Sequence, residues 1–307
     1  MRPARIAPRI LAAMLTLSAA ACAADPTTCR FTSRTDVRLT TTGRLAAVPA
    51  LVNGQSLSLV LDTGAVVSFL KPEAAGRAGM SSDTQRSAHL IGLAGPAQYP
   101  VGAPDSFVLG GQPETVTRLP VIDGGTPLDG NLGMDILGRT DIDLDLPAHR
   151  MTLYRGRLCS GQTPPWATAS TEIDVKAIGT PGGFEVHRLL AEVSLDGHKT
   201  YALLDTGATR TLVSERVAAR LGIDRRQLDE ARALQMKTVS RDVVATRPWR
   251  FHELAFGTER IDAPRLVVAP VADTLPDIII GMDILSRYRI WISYSGRRML
   301  LARQPSP

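Results

Sequence analysis

Two identical tetrapeptides, Asp-Thr-Gly-Ala, stand at residues 62–65 and 205–208. Carboxylates delivered by equivalent turns of two equivalent units can meet across a pseudo-twofold axis. Repulsion between two like charges makes the second ionisation of such a pair unfavourable, so the pair holds one proton over a wide pH range. One carboxylate can then take a proton from a water molecule while its partner protonates the carbonyl oxygen of the group that the water attacks. This chemistry requires neither a metal ion nor an organic cofactor.

Each aspartate follows a predicted β-hairpin. In the first copy, strands over 45–52 and 57–61 are joined by Asn53-Gly54, which is a strong short hairpin signal. The second copy repeats this arrangement around Asp196-Gly197 and delivers Asp205 at the same spacing from the turn. Both carboxylates are therefore expected to emerge from a strand end into a glycine turn.

The repetition extends beyond the two hairpins. Residues 133–139 recur as residues 281–287, with Gly-Met-Asp-Ile-Leu shared between the copies. An offset of this size indicates a duplicated lobe and not a solenoid. Short helices are expected, as over 214–221, where a serine precedes the helix and Gly222 follows it. Most other segments favour strand, so we predict an all-β-dominated, two-lobed fold with pseudo-twofold symmetry.

The sequence also predicts the boundaries of the two lobes and the segments that flank them. Turn-forming residues between the copies indicate a linker. The predicted order is a signal peptide (1–24), an N-terminal lobe (25–159), a linker (160–171) and a C-terminal lobe (172–307). Further strands are expected over 106–109, 116–122, 265–270 and 289–293.

The motifs resemble those of retropepsin-like aspartic peptidases, in a single-chain, bilobal bacterial form. Residues 59–65 and 203–208 are similar to the active-site motif of that family, and residues 129–137 and 278–285 are similar to its downstream hydrophobic-hydrophobic-Gly element. The resemblance covers about residues 40–302. One Asp-Thr-Gly is weak evidence, but two copies, each followed by the second element at a matched distance, are strong evidence.

The resemblance implies an aspartic endopeptidase with the acid-protease fold, acting on a peptide or protein substrate as a monomer. The catalytic pair would be Asp62 and Asp205. Thr63 and Thr206 would hydrogen-bond across the lobe interface, and Gly64 and Gly207 would permit the tight turns. Leu132, Ile279 and Ile280 would pack behind the active-site loops.

The sequence departs from the family pattern at several positions. Asn131 stands where the second element should be apolar, and Val66 replaces a small or polar residue, so the two lobes need not support their aspartates equally. Ala65 and Ala208 lack the hydroxyl that pepsin-like members often carry there. A hydroxyl bonded to a carboxylate lowers its pKa, so we predict an activity optimum less acidic than that of pepsin-like enzymes.

Two hairpins are candidates for a flap over the cleft. Residues 89–96 lie between the active-site turn and the second element and contain glycines, whereas the counterpart over 236–244 has none. One interpretation is a mobile flap opposite a fixed wall. The other is a pair of ordinary surface hairpins.

The N-terminus has the three regions of a secretory signal: basic residues to Arg9, an apolar run over 10–17, and small residues before residue 25. We therefore predict an exported, periplasmic or secreted protein. Cys22 is either the acylated first residue of a lipoprotein or lies beside a plain cleavage site. Cys29 and Cys159 remain as a pair in an oxidising compartment, and we predict that they form a disulfide.

Charge and composition exclude other classes. Lysine and arginine number 35 against 30 acidic residues, but three arginines lie in the predicted signal and no basic block exists, so a nucleic-acid partner is not expected. The five histidines show no metal-ligand spacing, and neither Gly-x-Ser-x-Gly nor a phosphate loop is present. Residues 141–145 begin like a calcium loop but lack its glycine, which favours a strand with a solvated polar face.

The alternative to an enzyme is a peptide-binding protein that has the same fold but no catalytic activity. Retention of both copies of Asp-Thr-Gly argues against it. Peptide cleavage by the protein and by its aspartate variants discriminates the two.

Overall fold

A computed structural model describes residues 31–92, 95–156, 164, 166–179, 188–237 and 243–303. It is dominated by strands, with 52% strand and 12% helix, and its helices are short, which confirms the predicted all-β-dominated class. None of the helices in these ranges has the length and apolar character needed to cross a membrane. The predicted signal peptide, Cys29 and Cys159 lie outside the described residues.

The first half of the described chain contains these strands: β1 Phe31–Arg38, β2 Thr40–Thr42, β3 Leu45–Val52, β4 Gln55–Leu61, β5 Phe69–Leu70, β6 Ser82–Gly92, β7 Gly95–Gly102, β8 Phe107–Leu109, β9 Gln112–Pro113, β10 Leu119–Pro120, β11 Gly130–Leu132, β12 Asp141–Asp145 and β13 Arg150–Gly156. Its helices are α1 Pro72–Arg77 and α2 Met134–Leu137.

The second half contains these strands: β14 Thr171–Ile173, β15 Val175–Ile178, β16 Arg188–Leu195, β17 His198–Leu204, β18 Leu212–Ser214, β19 Leu234–Lys237, β20 Val243–Arg250, β21 Glu253–Phe256, β22 Glu259–Asp262, β23 Arg265–Ala269, β24 Ile278–Ile280, β25 Tyr288–Ser293 and β26 Arg298–Arg303. Its helices are α3 Glu215–Arg220, α4 Arg225–Glu230 and α5 Met282–Leu285, with a 3₁₀ turn at Ala167–Ala169.

Both halves build the same sheet around their aspartate. β4 and β5 flank β11, which runs parallel to β4 and antiparallel to β5. β17 and β18 flank β24 in the same way. The hairpin turns at Asn53-Gly54 and Asp196-Gly197 have positive φ at both residues (50° and 78°, 48° and 80°), as a two-residue turn of this kind requires. The predicted hairpins are therefore confirmed.

A six-stranded sheet joins the halves in the order β1-β13-β12-β25-β26-β14. Its central pair is β12 and β25, one from each half, with Ile142 opposite Ile292. Buried apolar side chains from both halves form one continuous core that includes these two residues. The halves are therefore held together by a shared sheet as well as by the contacts at the aspartates.

The interpretation of residues 141–145 was wrong in one respect. They form a strand, as predicted, but its acids are buried and not solvated: Asp141 and Asp143 are each 2% exposed. Arg289 donates two hydrogen bonds to Asp143 from the neighbouring strand (2.8 and 2.6 Å). The strand pairs on both sides, so its acidic side chains lie within the sheet and not in water.

Three of the four further strands match closely, as β8, β23 and β25. The fourth, expected over 116–122, is limited to β10 (Leu119–Pro120). Proline carries no N–H to extend a ladder, which is consistent with a strand that ends at Pro120.

Candidate active site

The two aspartates occupy equivalent backbone positions directly after β4 and β17. Asp62 N–H donates to Leu132 O (3.0 Å), and Asp205 N–H donates to Ile280 O (2.9 Å). These carbonyls belong to the strand that lies between the two arms of each active-site turn. The downstream sequence element therefore anchors the aspartate of its own half.

Backbone amides hold one oxygen of each carboxyl group. Asp62 Oδ1 accepts from the N–H groups of Gly64 (3.0 Å) and Ala65 (2.8 Å). Asp205 Oδ1 accepts from Gly207 (2.8 Å) and Ala208 (3.1 Å). Such bonds favour the ionised form and fix the orientation of the carboxyl group.

The carboxyl group of each half lies against the glycine of the other half. A Cβ placed on Gly64 would stand 2.3 Å from Asp205 Cγ, and one on Gly207 would stand 2.3 Å from Asp62 Cγ. No side chain fits at either position. The glycines therefore serve the close approach of the two turns.

The two threonines bridge the halves through the backbone. Thr63 Oγ1 donates to Leu204 O and Thr206 Oγ1 donates to Leu61 O, each at 2.6 Å. The hydroxyl oxygens in turn accept from the N–H of the opposite threonine, both at 3.1 Å. The distance between the two hydroxyl oxygens is 3.4 Å, so the reciprocal bonds to backbone groups carry the bridge.

The carboxyl groups of Asp62 and Asp205 affect each other's ionisation. Burial raises the pKa of Asp62 well above its usual range, and repulsion by Asp205 raises it further. Burial also raises the pKa of Asp205, but the N–H of Gly207, a hydrogen bond with Asp62 and attraction by Arg188 oppose that rise. Burial thus raises the pKa of both acids, so the pair retains a proton to higher pH than an isolated aspartate does.

Asn131 contacts the pair from the first half. Its side chain is buried, and Nδ2 donates a short hydrogen bond to Asp62 Oδ2. The equivalent position in the second half is Ile279, which pairs with Leu203 as Asn131 pairs with Val60. The departure from the apolar pattern thus adds a polar contact to Asp62.

Arg188 was missed by the sequence analysis. It is the first residue of β16, is 6% exposed, and is attracted by Asp205 and Asp62. The sequence did contain a signal. Arg188 is the repeat equivalent of Leu45, 143 residues earlier, so a charged residue replaces an apolar one between the two copies.

The aspartates of the downstream elements have structural roles. Asp135 Oδ1 accepts from Ser68 N–H and Oγ, and Ser68 Oγ accepts from Gly133 N–H. In the second half, Asp283 Oδ1 accepts from Thr211 Oγ1. These bonds tie each short helix to the active-site turn.

Both candidate flap hairpins are present. β6 pairs with β7, and β19 pairs with β20, all antiparallel. Their tips, residues 93–94 and 238–242, lie outside the described residues. Among the described residues, no group of three or more histidine, cysteine or acidic side chains could hold a metal ion.

Two family models match the chain, one in each half. The family described as "Aspartyl protease" matches residues 48–136, and the family described as "gag-polyprotein putative aspartyl protease" matches residues 191–287. Each range contains one Asp-Thr-Gly and its downstream element. A comparison with curated proteins found no significant match.

Proposed function

We propose that this chain, which belongs to the retropepsin-like aspartyl proteases, is an endopeptidase that hydrolyses peptide bonds with a water molecule activated between Asp62 and Asp205. Family membership supports peptidase activity in general. The observation that carries the finer proposal is that two carboxyl groups, one from each half, each lie against the glycine of the other half and affect each other's ionisation.

The proposed reaction begins with one ionised and one protonated carboxyl group. The ionised group takes a proton from the water, whose oxygen attacks the peptide carbonyl carbon, while the protonated group gives its proton to the carbonyl oxygen. The resulting tetrahedral intermediate collapses when the amide nitrogen is protonated and the C–N bond breaks. The pair returns to one proton, so no group of the enzyme is consumed.

Rigid positioning is the contribution of the fold to this reaction. The paired amides on each carboxyl oxygen and the reciprocal threonine bonds keep both groups oriented before substrate binds. Preorganised groups of this kind lower the barrier because they need little reorganisation in the transition state.

Cleavage of a peptide library by the purified protein, with products identified by mass spectrometry, tests this proposal. We expect Asp62→Ala and Asp205→Ala each to lower kcat by at least about 10³-fold, within the range for loss of an acid or base. Asp273→Ala, at a side chain that is 91% exposed, is the control and should cleave normally.

The same assay tests the rival function. Equal cleavage traces from the wild type and both aspartate variants would contradict a role for the pair in catalysis. Absence of cleavage with retained peptide binding would favour the idle peptide-binding protein.

We also propose that the protein is exported and acts as a monomer, with Cys29 and Cys159 bonded. The signal-like N-terminus supports export, and the presence of both active-site halves in one chain supports the monomer. Intact mass of the protein from an exporting host reports signal cleavage, acylation of Cys22 and the two hydrogens lost on disulfide formation. Light scattering reports the oligomeric state.

A further inference from the structure

Arg188 is a buried cation to which the described residues offer no direct partner. The residue is 6% exposed, and no hydrogen bond or ion pair joins its side chain to another residue in the described part of the chain. Its Nε is buried and has no hydrogen-bond partner among the residues that the structure describes. A buried charge is costly unless an opposite charge compensates for it, so a guanidinium in this position calls for an explanation.

The strand register places Arg188 beside the catalytic pair. In the β16–β17 hairpin, Leu190 lies opposite Leu203. The paired register ends there, and its continuation by two residues on each side would set Arg188 opposite Asp205. Residues two apart on a strand share a face, so this continuation would put Arg188 on the same side of the hairpin as Asp205, in agreement with the attraction of Arg188 by both aspartates.

The first half has no cation at this place. In the β3–β4 hairpin, Ala47 lies opposite Val60, so the same continuation sets Leu45 opposite Asp62. Leu45 is buried and apolar. The positive charge therefore acts on the pair from the side of Asp205.

Two other charged side chains near β16 contact residues other than Arg188. Lys176, on the neighbouring strand β15, has its Nζ over the ring of Tyr201, 5.5 Å from the centroid. Glu192, on β16 itself, accepts from Lys199 of β17. Among the described residues, the charges that act on Arg188 are those of the two active-site aspartates, and both attract it.

We propose that Arg188 is a positioning residue that serves as the counter-ion of the aspartate pair and concentrates its negative charge on Asp205. Asp205 is then the general base, which takes the proton from water, and Asp62 is the general acid, which protonates the carbonyl oxygen. This inference rests on the proposed peptidase function. It deepens that function, because the backbone contacts of the two turns are alike and do not distinguish the two acids.

The amide of Asn131 is compatible with this division. An amide offers both a donor and an acceptor, so Asn131 can contact Asp62 in either protonation state. A full positive charge influences ionisation more strongly than a neutral amide does. Arg188 therefore decides where the charge lies, and Asn131 supports the acid that keeps the proton.

The pH dependence of kcat/KM in Arg188→Met, Arg188→Lys and the wild type tests the proposal. A positive charge stabilises the ionised pair, so its removal raises the pKa of both limbs of the profile. We expect the acid limb of Arg188→Met to move up by about one pH unit, which is about a tenfold loss of activity on that limb. Arg188→Lys should restore most of the wild-type profile.

The control is Arg289→Met. Arg289 is another largely buried arginine, with a side chain 20% exposed, but it is paired with Asp143 in the shared sheet. We expect this variant to lose stability without moving either limb of the profile. A merely structural role of Arg188 would give the same pattern in Arg188→Met, and that result would overturn the proposal.

Carbon-13 NMR titration of the aspartate carboxyl groups tests the assignment without relying on activity. Signals are assigned with Asp62→Asn and Asp205→Asn. We expect Asp205 to ionise first and to titrate at higher pH in Arg188→Met. If Asp62 ionises first, or if Arg188→Met shifts neither signal, the inference is wrong even where cleavage is observed. If the wild type cleaves no peptide but shows the expected titration, the peptidase proposal fails and the electrostatic role of Arg188 stands.

Discussion

The two halves of the active site agree in their backbones and differ in their side chains. Each aspartate has the same bond from its N–H to the neighbouring strand and the same pair of amides on one carboxyl oxygen. Two of the differences are Asn131 against Ile279, at equivalent strand positions, and Leu45 against Arg188, at the 143-residue offset of the repeat. Duplication thus preserves the parts that bring the acids together, while substitution at nearby side chains makes the acids unequal.

The largest loss of activity is expected from substitution of the two active-site glycines, which occupy equivalent positions in the two halves. Gly64→Ala and Gly207→Ala each introduce a Cβ 2.3 Å from the Cγ of the opposite aspartate, so the carboxyl groups must separate. Misplacement by about 1 Å costs about 10²-fold, and we expect a loss of kcat of at least that size in both variants. Peptide cleavage under single-turnover conditions measures it.

Gly76→Ala is the control for these glycine substitutions. Gly76 lies within α1, and a Cβ there meets nothing within 4 Å. We expect unchanged cleavage and a gain of about 0.5–1 kcal/mol in the free energy of unfolding, from helix propensity. Full activity in Gly64→Ala, or a loss in only one of the two active-site glycine variants, would contradict the symmetry of the two turns.

A smaller loss of activity is expected from substitution of Asn131, because the equivalent residue in the other half, Ile279, is apolar. Asn131→Leu removes the amide from Asp62, and a hydrogen bond to a charged or proton-sharing group contributes about 1.5–3 kcal/mol. We expect kcat/KM to fall about tenfold or more, as measured by initial rates. Ile279→Val, at the equivalent position of the other half, should change the rate less than about twofold. Equal effects of the two substitutions would indicate that Asn131 only fills space.

The smallest effect concerns stability at the shared sheet, where Asp141 of β12 faces Ser293 of β25. Burial raises the pKa of Asp141 to about 6, and its Oδ2 has no hydrogen-bond partner among the described residues. In the unfolded chain, the Asp141 carboxyl group ionises near pH 3.8. The unfolded state therefore releases this proton at lower pH than the folded state does. The free energy of unfolding falls as the pH rises from about 4 to 6, and the loss is complete above pH 6.

Asp141→Asn should therefore stabilise the protein at neutral pH. We expect about 1–2 kcal/mol at pH 7.5, reduced from the full shift because solvent screens part of the effect, and little change at pH 4. Urea unfolding at the two pH values measures the difference. A stability change that is the same at both values would show that ionisation of Asp141 is not its cause.

Much of the framework was predictable because it depends on neighbours along the chain. Asn53-Gly54 and Asp196-Gly197 predict two-residue hairpins, and both adopt the expected backbone. Ser214 caps α3 through a bond from Val217 N–H (3.2 Å), as its position before an apolar helix indicated.

The sequence by itself determined that two matched units each carry an aspartate into a glycine turn, since strand pairing and turn formation follow from local residue types. Only the tertiary structure decided that Asn131 lies against Asp62, that a buried Arg188 is attracted by the two aspartates, and that the acids of β12 are buried in a sheet shared by both halves. The physical reason is that ionisation and burial depend on distance and dielectric surroundings in space, and residues far apart in the chain set both.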